Sequence, residues 1–143
     1  MSDSAVYVIA LAPDGRLVVV GGRCLVVCSA ATGAVEATLT GHAGDVYALC
    51  PLTDGTNRLL SGYGDRVARL HDLGAAHGGA RVAATREYRG HTYGVTAIVE
   101  LRGGRFASAS YDRTIRIWAL ESGACLATLR GHTSYVWALA VAD

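Results

Sequence analysis

The chain has 143 residues, 51% of them apolar and 17% charged, with 18 glycines but two prolines. Thirteen arginines and no lysine against twelve acidic residues leave a formal charge of +1, which excludes a disordered polyampholyte and gives no basic surplus for nucleic acid. No run approaches the roughly 18 uncharged apolar residues of a membrane span, and residues 1–4 lack the basic start of a secretory signal.

In chain order the pattern predicts short strands and no helix. Residues 6–12 form a first apolar run. The Asp14-Gly15 turn leads to a second run at 17–21, and Thr32-Gly33 leads into 35–39. A new series opens at 46–52, turns at Asp54-Gly55, and continues at 58–61 and 67–71. A loop of small residues at 74–80 follows. The next series is 95–101, the Gly103-Gly104 turn, 105–110 and 114–118, where Thr114-Ile115-Arg116-Ile117-Trp118 alternates as a half-buried strand does. Ser122-Gly123 then turns into 125–129, and 136–142 is a last apolar run.

Four cysteines do not make a disulfide framework. Cys24 and Cys28 on one strand would stand roughly 13 Å apart at ~3.3 Å per residue, beyond the reach of a bridge. Cys50 and Cys125 are isolated. No Cys-x-x-Cys or close Cys/His cluster suggests a metal, so neither metal nor cofactor is expected.

The chain repeats itself. Gly-His occurs at Gly41-His42, Gly90-His91 and Gly131-His132, spaced by 49 and then 41 residues. The eight extra residues divide between the 54–57 turn, which holds two, and the 74–80 loop, which holds six. Cys28 precedes His42 by 14 residues, as Trp118 precedes His132, so the period of about 41 extends back to the start. Four strands per ~40 residues, repeated, is the arithmetic of propeller blades.

Gly90-His91, Ser108-Ala109-Ser110-Tyr111-Asp112, Thr114–Trp118 and Ser122-Gly123 together resemble one complete repeat of the WD-repeat β-propeller family. The expected fold is therefore all-β: a propeller segment of three four-stranded antiparallel blades plus the first strand of a fourth. Its units run over about 5–40, 41–89 and 90–130, with a partial unit at 131–143. The departures are plain. The Trp-Asp positions read Cys28-Ser29, His71-Asp72 and Trp118-Ala119, and Gly21-Gly22 stands where the first unit should carry an Asp.

The resemblance implies a buried hydrogen-bonded set in each blade: His91, Ser108, Asp112 and Trp118 in the third unit, and His42, Ser61, Asp65 and His71 in the second. An inward imidazole needs a partner for each ring nitrogen, which a carboxylate and a hydroxyl provide. Ser, His and Asp are also the residue types of a nucleophilic triad. However, no nucleophile-elbow pattern surrounds Ser108 and the set recurs, which favours a brace and a non-enzyme. His71 reads as a polar substitute for Trp rather than a metal ligand.

The resemblance further implies a rigid, non-catalytic scaffold for protein or peptide partners, cytoplasmic or nuclear. Its binding face would carry Asp45, Tyr47, Tyr63, Tyr93, Thr96, Tyr111, Tyr135 and Trp137. Alternatives are a substrate-recognition module of a ubiquitin ligase, or a reader of phosphate, acidic peptide or nucleic acid using the repeated Arg66, Arg69, Arg113 and Arg116, with Arg23 as a possible match in the first unit. A solvated strand face is the plainer reading of those arginines. A propeller enzyme would need catalytic groups near the axis, where the first strands offer only Glu100. Three units do not close a ring, so a piece of a longer propeller is expected, with self-assembly of copies as the other arrangement.

Overall fold

The computed structural model describes residues 6–21 and 23–130. In chain order its strands are β1 (Val6–Leu11), β2 (Leu17–Gly21), β3 (Cys24–Cys28), β4 (Val35–Thr40), β5 (Val46–Pro51), β6 (Arg58–Tyr63), β7 (Ala68–Asp72), β8 (Ala80–Ala83), β9 (Arg86–Tyr88), β10 (Val95–Leu101), β11 (Arg105–Ser110), β12 (Ile115–Ala119) and β13 (Cys125–Leu129). They form three sheets: β1-β2-β3-β4-β8, β5-β6-β7-β9 and β10-β11-β12-β13. Strands consecutive within a meander pair antiparallel, and the second and third sheets hold four strands each. The fold is all-β, in propeller-like blades whose ring is not closed.

Alternation decides which side of each strand is buried. In β2 and β3, Val18, Val20, Leu25 and Val27 have no solvent exposure. They pack with Val46, Leu59 and Tyr63 of the second sheet in one core cluster. Leu60, Leu70 and Tyr88 of the second sheet meet Val95, Ile98, Phe106 and Trp118 of the third in another. The sheets therefore stack side by side, each burying one face against the next. Backbones come close where Gly62 faces the third sheet: a Cβ there would lie 2.7 Å from Val95 Cγ1.

The 74–80 segment differs from the expected plain loop. Leu73–Ala75 forms one 3-10 turn capped by Asp72, whose side chain accepts from Gly74 N. The chain then crosses back to the first sheet, where β8 pairs parallel with β4 through Ala37↔Ala80 and Thr38↔Arg81. The first blade thus has five strands rather than four, and its outer edge is built by residues from the second unit. Two forces hold the excursion. Leu73 and Ala76 are fully buried in the first core cluster, and Arg16 clamps it by donating to Leu73 O (2.7 Å), to Ala76 O and to Glu36 (3.1 Å).

Candidate functional site

The third blade assembles its four polar side chains into one chain of hydrogen bonds. The Gly90-His91 corner aims the imidazole inward. Gly90 has φ +151°, and a Cβ there would meet Arg116 Nη1 at 2.9 Å. His91 Nδ1 lies 2.8 Å from Asp112 Oδ2, and Nε2 lies 2.7 Å from Ser108 Oγ. A carboxylate only accepts, so Nδ1 carries the proton and Nε2 accepts from the Ser108 hydroxyl. Trp118 Nε1 then donates to Ser108 Oγ at 2.8 Å. Asp112 also accepts from Thr92 N (3.0 Å), Thr114 N (2.9 Å) and Thr114 Oγ1 (2.5 Å). Thr114 is a member that the sequence reading omitted, although an Asp-x-Thr turn is a sequence-visible signal for such bonding.

Burial sets the protonation states. It lowers the His91 pKa, against the opposing pull of Asp112, so the ring is held neutral. Burial pushes the Asp112 carboxyl up, but bonds from Thr114, His91 and Thr92 outweigh it and hold its pKa at about 2. The Ser-His-Asp order copies that of a nucleophilic triad. Yet Ser108 is 0% exposed and its oxygen is engaged by Trp118. Glu100 is likewise occupied, accepting from Thr53 N and Thr53 Oγ1. No group of three or more His, Cys, Asp or Glu side chains suited to a metal occurs among the described residues.

The second blade does not assemble the equivalent set. Ser61 Oγ bonds Tyr63 OH at 2.5 Å instead of His42. His42 is stacked on the Tyr63 ring at 4.5 Å, and its Nε2 donates to Arg23 O at 2.5 Å. His71 donates through Nε2 to Thr40 O (2.9 Å) and has its pKa lowered by burial. Asp65 accepts from Ala43 N and pairs with Arg69 at 2.8 Å. The cause is Tyr63. Aligning Ser61-Gly62-Tyr63-Gly64-Asp65 with Ser108-Ala109-Ser110-Tyr111-Asp112 puts Tyr63 at the Ser110 position, and the strand pairings agree, with Tyr63↔Val46 matching Ser110↔Val95. The large ring fills the space an imidazole would use. Tyr63 is therefore fully buried, its hydroxyl pushed up to about 12 by burial, and it is not a surface residue.

At these same turns the chain presents an open rim. Tyr93 is 58% exposed and Tyr47 is 41% exposed. Tyr47 lies across two glycines: a Cβ on Gly64 would stand 3.1 Å from its hydroxyl oxygen, and one on Gly94 2.8 Å from its ring. Its ring meets Tyr111 edge-on at 5.9 Å. Tyr93, Tyr111, Asp112 and Arg113 line a cavity of about 640 Å³. Tyr111 N donates to Gly94 O and Ser110 Oγ donates to Tyr93 O, tying the two rim loops together. Asp45 is exposed beside Arg23, and Thr96 is half-buried on β10. Tyr135 and Trp137 fall outside the described residues.

The repeated arginines separate into two kinds. Arg69 is 4% exposed and pairs with Asp65 and Glu87, which overturns the reading of a solvated strand face at that position. Arg116 packs over Trp118 at 6.0 Å. Arg66 and Arg113, by contrast, are exposed at equivalent turn tips, both with left-handed backbone (φ +76° and +69°). That conformation is unfavourable for a residue with a Cβ, and it turns both side chains outward.

The family model for the WD domain, G-beta repeat, matches residues 33–72, 83–119 and 123–143. The chain belongs to this WD-repeat family, whose members generally serve as protein-interaction scaffolds in complexes. The first match takes β4 of the first blade with the inner three strands of the second, and the second takes the outer strand β9 of the second blade with the inner three strands of the third, so one sequence repeat stitches two blades together. Among curated proteins the chain is similar to cell division control protein 4 of Saccharomyces cerevisiae, with 30% identity over 74% of this chain. It is also similar to small ribosomal subunit protein RACK1 of Schizosaccharomyces pombe (37% over 64%) and to pre-mRNA-processing factor 19 of Bos taurus (34% over 65%). It spans only 13%, 29% and 17% of those proteins' lengths.

Proposed function

We propose that the chain is a non-catalytic docking module whose contact face is the rim formed by Tyr47, Tyr93, Tyr111 and Arg113, acting within a larger cytoplasmic or nuclear complex. The observation that supports this reading is the pairing of exposed aromatic rings and an exposed arginine with turns that are internally braced. Tyr and Arg supply most binding energy at protein interfaces, and rigid presentation lowers the entropic cost of using them. The four cysteines are free, in keeping with a reducing compartment. A Tyr93→Ala/Arg113→Glu double variant that keeps the wild-type urea midpoint tests the assignment. It is expected to lose the partners recovered by affinity capture with the wild-type chain; undiminished recovery would place the contact face elsewhere.

A further inference from the structure

The fifth strand of the first blade creates a second cavity, of about 390 Å³, with Arg23, Thr38, Thr40, His42 and Arg81 in its wall. No Asp or Glu among the described residues lines it. We propose that this cavity binds a tetrahedral oxyanion of the phosphate class. The proposal is independent of the rim, since none of these residues belongs to it.

Its parts come from three places. Arg81 sits on β8, the strand that the second unit lends to the first blade, and its register partner across the parallel ladder is Thr38. Directly paired residues share a face, so the guanidinium and the hydroxyl stand on one side of the sheet. Arg81 makes no ion pair among the described residues. Arg23 occupies the turn between β2 and β3. Its nearest carboxylate, Asp45, is 3.6 Å away with both side chains largely exposed, a contact that solvent weakens. Arg23 is therefore available to a better partner. His42 also borders the cavity: its Nε2 donates to Arg23 O, so its buried Nδ1 is an acceptor and supplies no donor to an anion.

Two guanidinium forks and threonine hydroxyls are donors, and planar forks match phosphate oxygens in pairs. Two guanidinium groups against the nearby Asp45 leave the local charge positive although the whole chain is nearly neutral. The same phosphoryl chemistry can arrive as inorganic phosphate or on a phosphorylated serine or threonine. The test is titration calorimetry with inorganic phosphate, with a phosphoserine peptide and with the same peptide unphosphorylated. Wild type, Arg23→Ala, Arg81→Ala and the charge control Arg102→Ala are compared. Saturable phosphate binding is expected, weakened roughly tenfold by Arg23→Ala and by Arg81→Ala but not by Arg102→Ala. A phosphopeptide that binds at least tenfold tighter than free phosphate assigns the site to phosphorylated proteins; equal affinity assigns it to the free anion. The proposal is overturned if no saturable binding occurs up to about 10 mM phosphate, or if all three arginine variants behave alike.

Discussion

Replacing Ser108 by alanine probes the buried set most sharply, because one oxygen serves two partners. Its hydroxyl donates to His91 Nε2 at 2.7 Å and accepts from Trp118 Nε1 at 2.8 Å. Both partners are nearly inaccessible to water, at 6% and 2% exposed, so the variant leaves two buried polar atoms without a bond. An orphaned buried group costs about 1–3 kcal/mol, which gives about 3–4 kcal/mol for the pair after allowing for local relaxation. Ser61→Ala is the internal control. Among the described residues Ser61 Oγ bonds only Tyr63 OH, so one group is orphaned and about 1–2 kcal/mol is expected. Urea unfolding followed by circular dichroism reads both values. At roughly 3 °C per kcal/mol or more, Ser108→Ala should lower the melting temperature by about 10 °C and Ser61→Ala by about half of that. Equal costs, or less than about 1 kcal/mol for Ser108→Ala, would refute the shared-oxygen reasoning.

Tyr63→Phe removes only the hydroxyl that meets Ser61 and should cost about 1 kcal/mol. Tyr63→Ala opens a cavity between the first two blades and should cost about 3–5 kcal/mol by the same unfolding assay. Arg16→Ala strips Leu73 O and Ala76 O of a donor; it should lower stability by about 1–3 kcal/mol and speed amide exchange in residues 73–83, read by mass spectrometry. Stability should also fall with acid in two stages. His71 and His91 have folded-state pKa values below the ordinary 6.5 because of burial. The unfolded chain therefore takes up protons that the folded one refuses, and stability drops as pH falls below about 6.5. Asp14 and Asp112 are held at about 2 against an ordinary 3.8, so their contribution is present above pH 3.8 and is lost as pH falls toward 2. Unfolding free energies measured from pH 8 to pH 2 should decline in that order; a flat profile between pH 7 and 5 would show that the two imidazoles are not desolvated.

The parts of the structure that repeat were legible, and the parts that break the repeat were not. Turn dipeptides such as Asp54-Gly55 and Gly103-Gly104, together with strand alternation around Trp118, locate the meanders because their physics is local. The third-blade set was legible because His91, Ser108, Asp112 and Trp118 all stand at their expected spacing. In the second blade the same spacing misled. A single tyrosine at the Ser110-equivalent position occupies the volume in which His42 and Ser61 would meet, and steric exclusion overrides motif matching. The alignment that reveals it needs no gap, so the signal was present in the sequence. β8 was illegible for a different reason. Ala80–Ala83 is four residues long and follows His77-Gly78-Gly79, a loop-like stretch. Its strand character comes from β4 of another unit, a parallel pairing that no local pattern encodes. Arg69 was misread on similar grounds, since its partner Glu87 reaches it only once β7 and β9 are paired.

The docking claim is tested most directly by hydrogen–deuterium exchange of the chain with and without a captured protein partner. Added protection is expected in peptides that cover residues 43–47, 92–96 and 111–113, with the outer strands β8, β9 and β13 unchanged. Protection confined to the outer strands, with the tyrosine rim exchanging as freely as in the unbound chain, would contradict it.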